Sequence, residues 1–325
     1  MAEKLNTDIE TTFTPDVNID SSEFEWVGQD LRKSEDIGRP SISFWKDAFG
    51  RLKRDKSALV FLGILAFIFI CAIIIPILSP YTEGGQHLEH VNAGPLFNNG
   101  TCFHIFGTDD LGRDLFVRIW YGARVSLTIA FASVLINCLI GVVYGGIAGY
   151  FGGFIDDIMM RIVEIVNGIP YLLVVILLMT VMQPGMMTLI IAMVSVGWVG
   201  MARLVRGEVM RLKEQEFVIA AQSMGASATR IIVKHLFPNI LSIIIVNLTL
   251  AIPSAIFTEA FLSFIGLGIP VPGASWGTLA QAGITNFRYY PYQLLFPAFF
   301  ISITMLSFNL LGDKLRDAFD PKLRR

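Results

Sequence analysis

Cysteine is scarce: Cys71, Cys102 and Cys138 are too few and too scattered among 325 residues for a disulfide framework. Cys71 and Cys138 fall inside long apolar runs, where a thiol acts as a small packing residue. Charge is scarce too. Only 16% of residues are Asp, Glu, Lys or Arg, against 54% hydrophobic residues and a mean hydropathy of +0.61. That balance excludes an ordinary soluble domain and makes an all-α polytopic membrane protein the starting class. A net charge of −2 offers no basic surface for nucleic acid. No G-x-x-x-x-G-K-[ST] phosphate loop occurs, so the chain has no usual means of holding ATP by itself. No Ser/His/Asp constellation or metal-ligand cluster stands out, so no catalytic residue and no metal are assigned. The first forty residues, acidic on balance and preceding the first apolar run, exclude a signal peptide or a myristoylation site there.

Residues 1–40 hold ten Asp/Glu against four Lys/Arg, a balance of −6 that leaves +4 for the rest, and they read as a disordered cytoplasmic tail. Residues 41–57 space Phe44, Trp45, Phe49 and Leu52 for an interfacial amphipathic helix. An uncharged run at 58–78, within a first span of 58–79, is long enough for a bilayer core of ~30 Å at ~1.5 Å per residue. Arg51, Lys53, Arg54 and Lys56 precede it and place the N-terminus in the cytoplasm.

An outer loop at 80–122 follows, irregular at its glycines and ending in a packed turn, with a helix starting near Asp114. His87, His90 and His104 lie upstream of Asp109, Asp110 and Asp114, but their spacing matches no familiar ligand set. Asn99-Gly100-Thr101 is a formal glycosylation sequon read as accidental. Further spans are expected at 125–150, 165–182, 186–202, 236–257 and 294–311, making six and leaving both termini and the loop 203–235 on the side with most Lys/Arg. Small residues in the spans, Gly141, Gly145, Gly146, Ala148 and Gly149, then Gly197, Gly200 and Ala202, point to closely packed helices. Pro170, Pro253 and Pro297 sit inside expected spans and are positioned to kink them. Asn137, Asn167, Asn247, Glu259 and Asn309 are polar within apolar runs and should face protein or a watery path. Asn167, Asn247 and Glu259 are the pathway candidates, with Glu259 read first as a helix-end carboxylate bonded to the Gly-rich turn after it.

The stretch 216–238, EFVIAAQSMGASATRIIVKHLFP, interrupts these apolar segments. Phe217, Ala220, Ala221 and Met224 recur at i, i+3, i+4 and i+7 and so share one helical face that a partner could approach closely. After Gly225, Ser227 can cap a second helix carrying Arg230 and Lys234 and running through Pro238 into the fifth span. Such a segment on the membrane surface suits contact with a cytosolic protein.

Ala220, Ala221, Gly225 and Pro238 fall on the spacing E-A-A, three residues, Gly, nine residues, I-x-L-P, and in this the stretch resembles the cytoplasmic loop of ABC importer membrane subunits. Ile219 stands where that pattern has its acid, Glu216 being the nearest one, and His235 and Phe237 replace its two aliphatic residues. The resemblance extends through FGTDDLGRDLFVRIWYGARVSL at 106–127, IMMRIVEIVNGIP at 158–170, GWVGMARLVRGEVMRLKEQEF at 197–217, TEAFLSFIGLGIPVPGASWGT at 258–278 and the closing LRDAFDPKLRR. Together these stretches are similar to the C-type permeases of peptide importers, the oligopeptide permease of Gram-positive bacteria in particular.

The resemblance implies a type I permease domain over 123–313 with a core of five spans, the first span being an addition and 314–325 a cytoplasmic tail. It implies that Glu216, Phe217, Ala220, Ala221, Met224, Gly225 and Pro238 belong to a coupling helix seated in an ATPase subunit. Gly107, Thr108, Asp109, Gly112, Arg113 and Asp114 become candidates for docking a binding protein or lining the outer mouth, with a structural brace the competing role. The implied partners are a B-type permease, two cytosolic ATPase subunits that hold ATP and magnesium, and an extracellular peptide-binding protein, all at the bacterial plasma membrane. Dipeptide and nickel permeases share these motifs, and an ion-coupled secondary transporter is the rival from another class.

Overall fold

The computed structural model describes residues 44–98, 100 and 102–319, with side chains from Asp47 onward. The acidic stretch 1–40, Asn99 and Thr101 of the sequon, the side chains of Phe44 and Trp45, and residues 320–325 lie outside the described residues. The chain divides into two units, Met1–Asp47 and Ala48–Arg325, of which the second is compact. Helix α1 (Phe44–Arg54) begins in the first and places Arg51, Lys53 and Arg54 in its last turn.

The second unit is an all-α multi-pass membrane fold. Asp55 starts helix α2 (Lys56–Leu78), its carboxylate accepting from the backbone N–H groups of Ser57 and Ala58 as an N-cap does. Its Oδ2 also meets Lys314 Nζ at 3.0 Å on the last helix. Beyond Leu78 the outer region contains a 3₁₀ turn (Leu88–His90) and a two-stranded antiparallel sheet, β1 (Phe97–Asn98) with β2 (Phe103–His104), pairing Phe97 with His104.

Helix α3 (Leu115–Phe151) has 37 residues, about 55 Å at 1.5 Å each, far more than a hydrocarbon core of ~30 Å requires. The expected second span is therefore the inner part of a longer rod, whose first turns belong to the outer cap and bury Val117, Arg118 and Trp120.

The third expected span, 165–182, is not one rod. Helix α4 (Gly153–Gly168) ends before Pro170, and α5 (Tyr171–Met182) leaves at 77°. A proline disfavours helical geometry in the residue before it, and Ile169 is accordingly extended at φ −80°, ψ 125°. Pro170 separates two helices rather than kinking one.

Helix α6 (Met186–Lys213) runs eleven residues past the expected end of span four at residue 202. Much of the loop expected at 203–235 is thus helical: the end of α6, then α7 (Glu216–Ser223) and α8 (Ala228–Ile231). Through a π-helical turn (Ile232–Leu236), α8 continues into α9 (Phe237–Leu262), which carries Pro253 and ends in a second π turn (Ser263–Leu267). A short outer helix, α10 (Trp276–Thr285), starts at a capping box of Ser275 and Thr278. The last helix, α11 (Tyr292–Phe319), contains Pro297. Among the described residues five helices are long and apolar enough to cross a membrane, six if the bent pair α4–α5 is taken as one span.

Backbone proximity holds α3 to α6. A Cβ on Gly145 would strike the Ala202 carbonyl oxygen, one on Gly149 would come 2.7 Å from the Arg206 oxygen, and one on Gly141 2.6 Å from Met201 Cβ. These glycines lie four apart on one face of α3, the small-residue spacing that lets helices touch closely in lipid. Gly146 and Gly200, expected to share this role, have open space above them.

Candidate functional site

A groove of about 560 Å³ opens between α3, α5, α6 and α9. Its wall is mostly apolar, with Asn137, Asn247, Ser254 and Thr258 as polar residues and Tyr171 beside the helix break. Asn137 Oδ1 and the Tyr171 hydroxyl are buried with no hydrogen-bond partner among the described residues. Such orphaned groups in a concave wall suit a polar ligand passing through, since an unmet buried acceptor costs ~1–3 kcal/mol. Gly197 makes room here, because a Cβ at that position would collide with the Asn137 amide.

The three expected pathway residues separate. Asn247 lines the groove, its Nδ2 donating to Ile243 O at 3.0 Å. Asn167 is exposed on α4, near the Pro170 break and outside the groove. Glu259 is fully buried and does not line it. Its Oε1 accepts from Ser263 Oγ at 2.8 Å, Ser263 Oγ accepts from Ser275 Oγ at 3.3 Å, and its Oε2 has no partner among the described residues. Glu259 therefore joins the end of α9 to the cap of α10, a wider linkage than the adjacent-turn bond expected.

The outer segment 107–114 is internal. Asp109 Oδ1 accepts from the N–H groups of Leu111 and Arg113, both at 2.9 Å, and Oδ2 accepts from Arg113 Nε at 2.7 Å. Thr108 Oγ1 donates to His90 O and accepts from Ala93 N, and its carbonyl accepts from Tyr292 and Gln293 of α11. Gly107 and Gly112 have positive φ, and a Cβ on either would strike a backbone oxygen, of Ala93 or His87. Asp114 caps α3 through Val117 N, and its Oδ2 lies 2.7 Å from His104 Nδ1, whose Nε2 is 3.3 Å from His90 Nδ1. Burial pushes the Asp114 carboxyl above the ordinary range, against the opposing pull of Val117 N–H and His104. Gly107, Thr108, Asp109, Gly112, Arg113 and Asp114 are all buried, so the surface here falls to Asp110 and Leu111. The His104 ring nitrogens are spent on hydrogen bonds, and among the described residues no group of three His, Cys, Asp or Glu is arranged to hold a metal.

At the opposite end α7 hangs from the base of α6 and α9. Val218 packs with Val205, Val209 and Leu212 of α6 and with Ile231, Leu236, Ile240 and Ile244. Only Val218 and Ala221 of α7 are buried. The face expected to be shared divides: Ala221 points into this base, while Phe217 at 43% exposure, Met224 at 82%, Ala220 and Glu216 face outward. Ile219, at 51% exposure, joins them, a residue the spacing did not single out. Gly225 turns the chain at φ +78° with open space around it, and Ser227 caps α8 by accepting from Arg230 N. Pro238 lies exposed in the first turn of α9. Lys213, closing α6, lies 5.6 Å from the Tyr150 ring centre, a cation–π distance.

Sequence spacing did not find Tyr171, Ser254 or Thr258. Each is a common residue in an apolar run, and only the helix break and the crossing of α3 with α9 turn them to one cavity.

The family model described as "Binding-protein-dependent transport system inner membrane component" matches residues 141–325, and that for the "N-terminal TM domain of oligopeptide transport permease C" matches 43–95. The chain is 54% identical over 295 residues to the dipeptide transport system permease protein DppC of Bacillus subtilis (strain 168), covering 90% of this chain and 91% of that one. It is 49% identical over 308 residues to the oligopeptide transport system permease protein OppC of the same organism, covering 95% and 99%. With the OppC protein of Escherichia coli (strain K12) it shares 40% identity over 291 residues, 90% of this chain and 95% of that one. A solved inward-facing structure of the MetNI methionine ABC transporter aligns at TM-score 0.47 and 20% identity, over 63% of this chain and 96% of that chain.

Proposed function

Since the chain belongs to the binding-protein-dependent transport system inner membrane component family, we propose that it is the membrane-spanning permease subunit of an ATP-driven peptide importer. The observation that carries this reading is the pairing of a groove holding orphaned polar atoms with an outward-facing helix, α7, on a shared shaft, α6. Asn137 and Tyr171 offer hydrogen bonds to a peptide backbone in transit, while Gly197, Gly200 and Ala251 keep the passage indifferent to side chains. Glu216, Phe217, Ile219, Ala220 and Met224 form the contact with a cytosolic ATPase subunit, and Gly225 sets the turn that presents them. Ala221 acts from inside, fastening α7 to its base.

Transport proceeds by alternating access. Two ATPase subunits bind ATP and magnesium and close on each other, α7 is displaced with them, and α6 carries the displacement to the groove. Hydrolysis takes place on those subunits, this chain contributing no nucleotide site. A B-type permease supplies the other half of the path, and an extracellular peptide-binding protein delivers to the outer cap through the surface around Asp110 and Leu111. Both termini are cytoplasmic and the membrane is the bacterial plasma membrane, as the Lys/Arg of the inner loops favour. The permease domain occupies 123–313, with α2 an added helix packed on α3 and α11.

Oligopeptides are the favoured cargo, from the motifs along the chain. A dipeptide cargo is the second reading, favoured by the 54% identity to a dipeptide permease. Purification in mild detergent tests the assembly: two nucleotide-binding polypeptides should co-purify and the complex should hydrolyse ATP. Absence of both removes the coupling role, and competition between dipeptides and pentapeptides for uptake decides the cargo.

A further inference from the structure

Arg124 lies ten residues into α3, exposed, and nothing among the described residues pairs with its guanidinium. Its carbonyl accepts from Thr128 Oγ1 at 2.6 Å. Its depth follows from its neighbours. Arg124 shares a slot of about 460 Å³ with Ala72 and Ile73 of α2, and Ile73 is five residues short of the end of α2 at Leu78. Five residues are roughly 7–8 Å of helix, so the Arg124 backbone lies within the apolar depth of one leaflet. An arginine there lifts its head towards the interface and leaves its stem in hydrocarbon, and it keeps its charge only beside a counter-charge or water.

Away from Arg124 the slot is apolar. Phe69, Ile73, Phe131 and Leu135 wall it, and the Thr128 hydroxyl is turned back on its own helix. From Arg124 to Leu135 it follows eleven residues of α3, roughly 16 Å, the length of an extended acyl chain rather than of a side chain. The surface on either side is that of a protein facing lipid, with Ile70, Ile74, Ile77, Leu139 and Val143 exposed.

We propose that this slot binds one anionic phospholipid, an acyl chain lying between α2 and α3 and the headgroup phosphate paired with Arg124. A net-anionic headgroup fits better than a zwitterionic one, because the latter brings its own ammonium to compete for the phosphate. A polypeptide occupant would have to carry an unpaired acid to the same depth, at the same desolvation cost, whereas the lipid's charge already lies at that level. The site stands apart from the groove and from whatever cargo passes through it.

The test is native mass spectrometry of the complex after reconstitution into vesicles of phosphatidylglycerol or of phosphatidylcholine and re-extraction in mild detergent. The wild type should retain one phosphatidylglycerol at least tenfold more than phosphatidylcholine. Arg124→Gln should lower that retention at least tenfold, Arg124→Lys should keep most of it, and Leu135→Trp, which fills the slot without touching the charge, should lower it as well. Equal retention of the two lipids, or retention unchanged in both Arg124→Gln and Leu135→Trp, overturns the proposal. Loss of a co-purifying polypeptide in place of the lipid from Arg124→Gln also overturns it and assigns Arg124 to a protein interface.

Discussion

Arg206 grips Asp156 with two parallel hydrogen bonds, Nε to Oδ1 and Nη2 to Oδ2, across fifty residues of sequence. The pair ties the first turn of α4 to the part of α6 beyond its expected end, next to the place where Gly149 lets α3 approach the Arg206 backbone. Asp156 is buried and Arg206 about a third exposed, its side chain at 32%. The bent pair α4–α5 is thereby fixed to the same shaft that carries α7.

Removing one partner of that fork should cost more than removing both. Breaking a fully buried pair costs about 3–5 kcal/mol, and the exposure of Arg206 brings the expected figure nearer roughly 2 kcal/mol. Arg206→Leu should lower the unfolding temperature in detergent, and Asp156→Leu added to it should recover part of the loss. A double-mutant cycle in which the two losses simply add would deny the coupling.

Gly145→Ala and Gly146→Ala differ by one position and should differ in outcome. The first drives a methyl group into the Ala202 carbonyl and should destabilise by about 1–3 kcal/mol through forced separation of α3 and α6. The second meets open space, and with alanine the better helix former it should be neutral. Thermal unfolding of the two variants side by side decides it.

On α7, exposure separates contact from support. Met224→Asp adds a charge to a side chain in water and should leave folding unchanged while abolishing peptide uptake and ATPase co-purification. Ala221→Asp buries a charge among Val218 and its neighbours and should lower stability as well as uptake. Gly225→Pro should abolish uptake with the chain still in the membrane, because a ring that fixes φ near −65° cannot occupy a turn at φ +78°. Normal uptake by both Met224→Asp and Gly225→Pro would remove α7 from the transport cycle.

The Lys314 ammonium holds the Asp55 carboxyl below the ordinary carboxylate range, helped by the Ala58 N–H. A depressed folded-state value means that the contribution to stability is present above the unfolded value, ~3.9, and is lost as pH falls through the folded one. Acidification from pH 5 to pH 3 should therefore lower the protection of the first turn of α2, measured as amide exchange relative to the intrinsic rate at each pH. In Asp55→Asn that protection should already be low at pH 5 and change little.

Apolar runs revealed the spans because a bilayer demands them, and Ser227 was legible as a cap because a short acceptor before a helix has few other uses, while near Asp114 the start of a helix was legible but not its cap. Helix ends were less visible. A polar extension such as 203–213 of α6 stays helical through contacts with α7 and α9 that no local window contains. The break at Pro170 was visible as a proline, but the 77° bend depends on where α4 is fastened, at Asp156. Ala221 and Met224 belong to one helical stripe by spacing, yet the direction of α7 relative to α6 decides which of them meets water. In the outer cap, residues that crowd as charges in sequence form an internal ion pair, Asp109 with Arg113, which a run of letters does not distinguish from a surface cluster.

Helix α6 is one unbroken rod of 28 residues, held against α3 at Ala202. From that point to Lys213 is eleven residues, roughly 16 Å, and to Met193 in the groove nine, roughly 14 Å. The glycines of α3 close on that rod at Met201, Ala202, Arg206 and Val209, about two helical turns, so α6 is clamped along a length and not hinged at a point. A load applied at its lower end therefore shifts α3 and α6 together, with no joint between the clamp and the groove to absorb it.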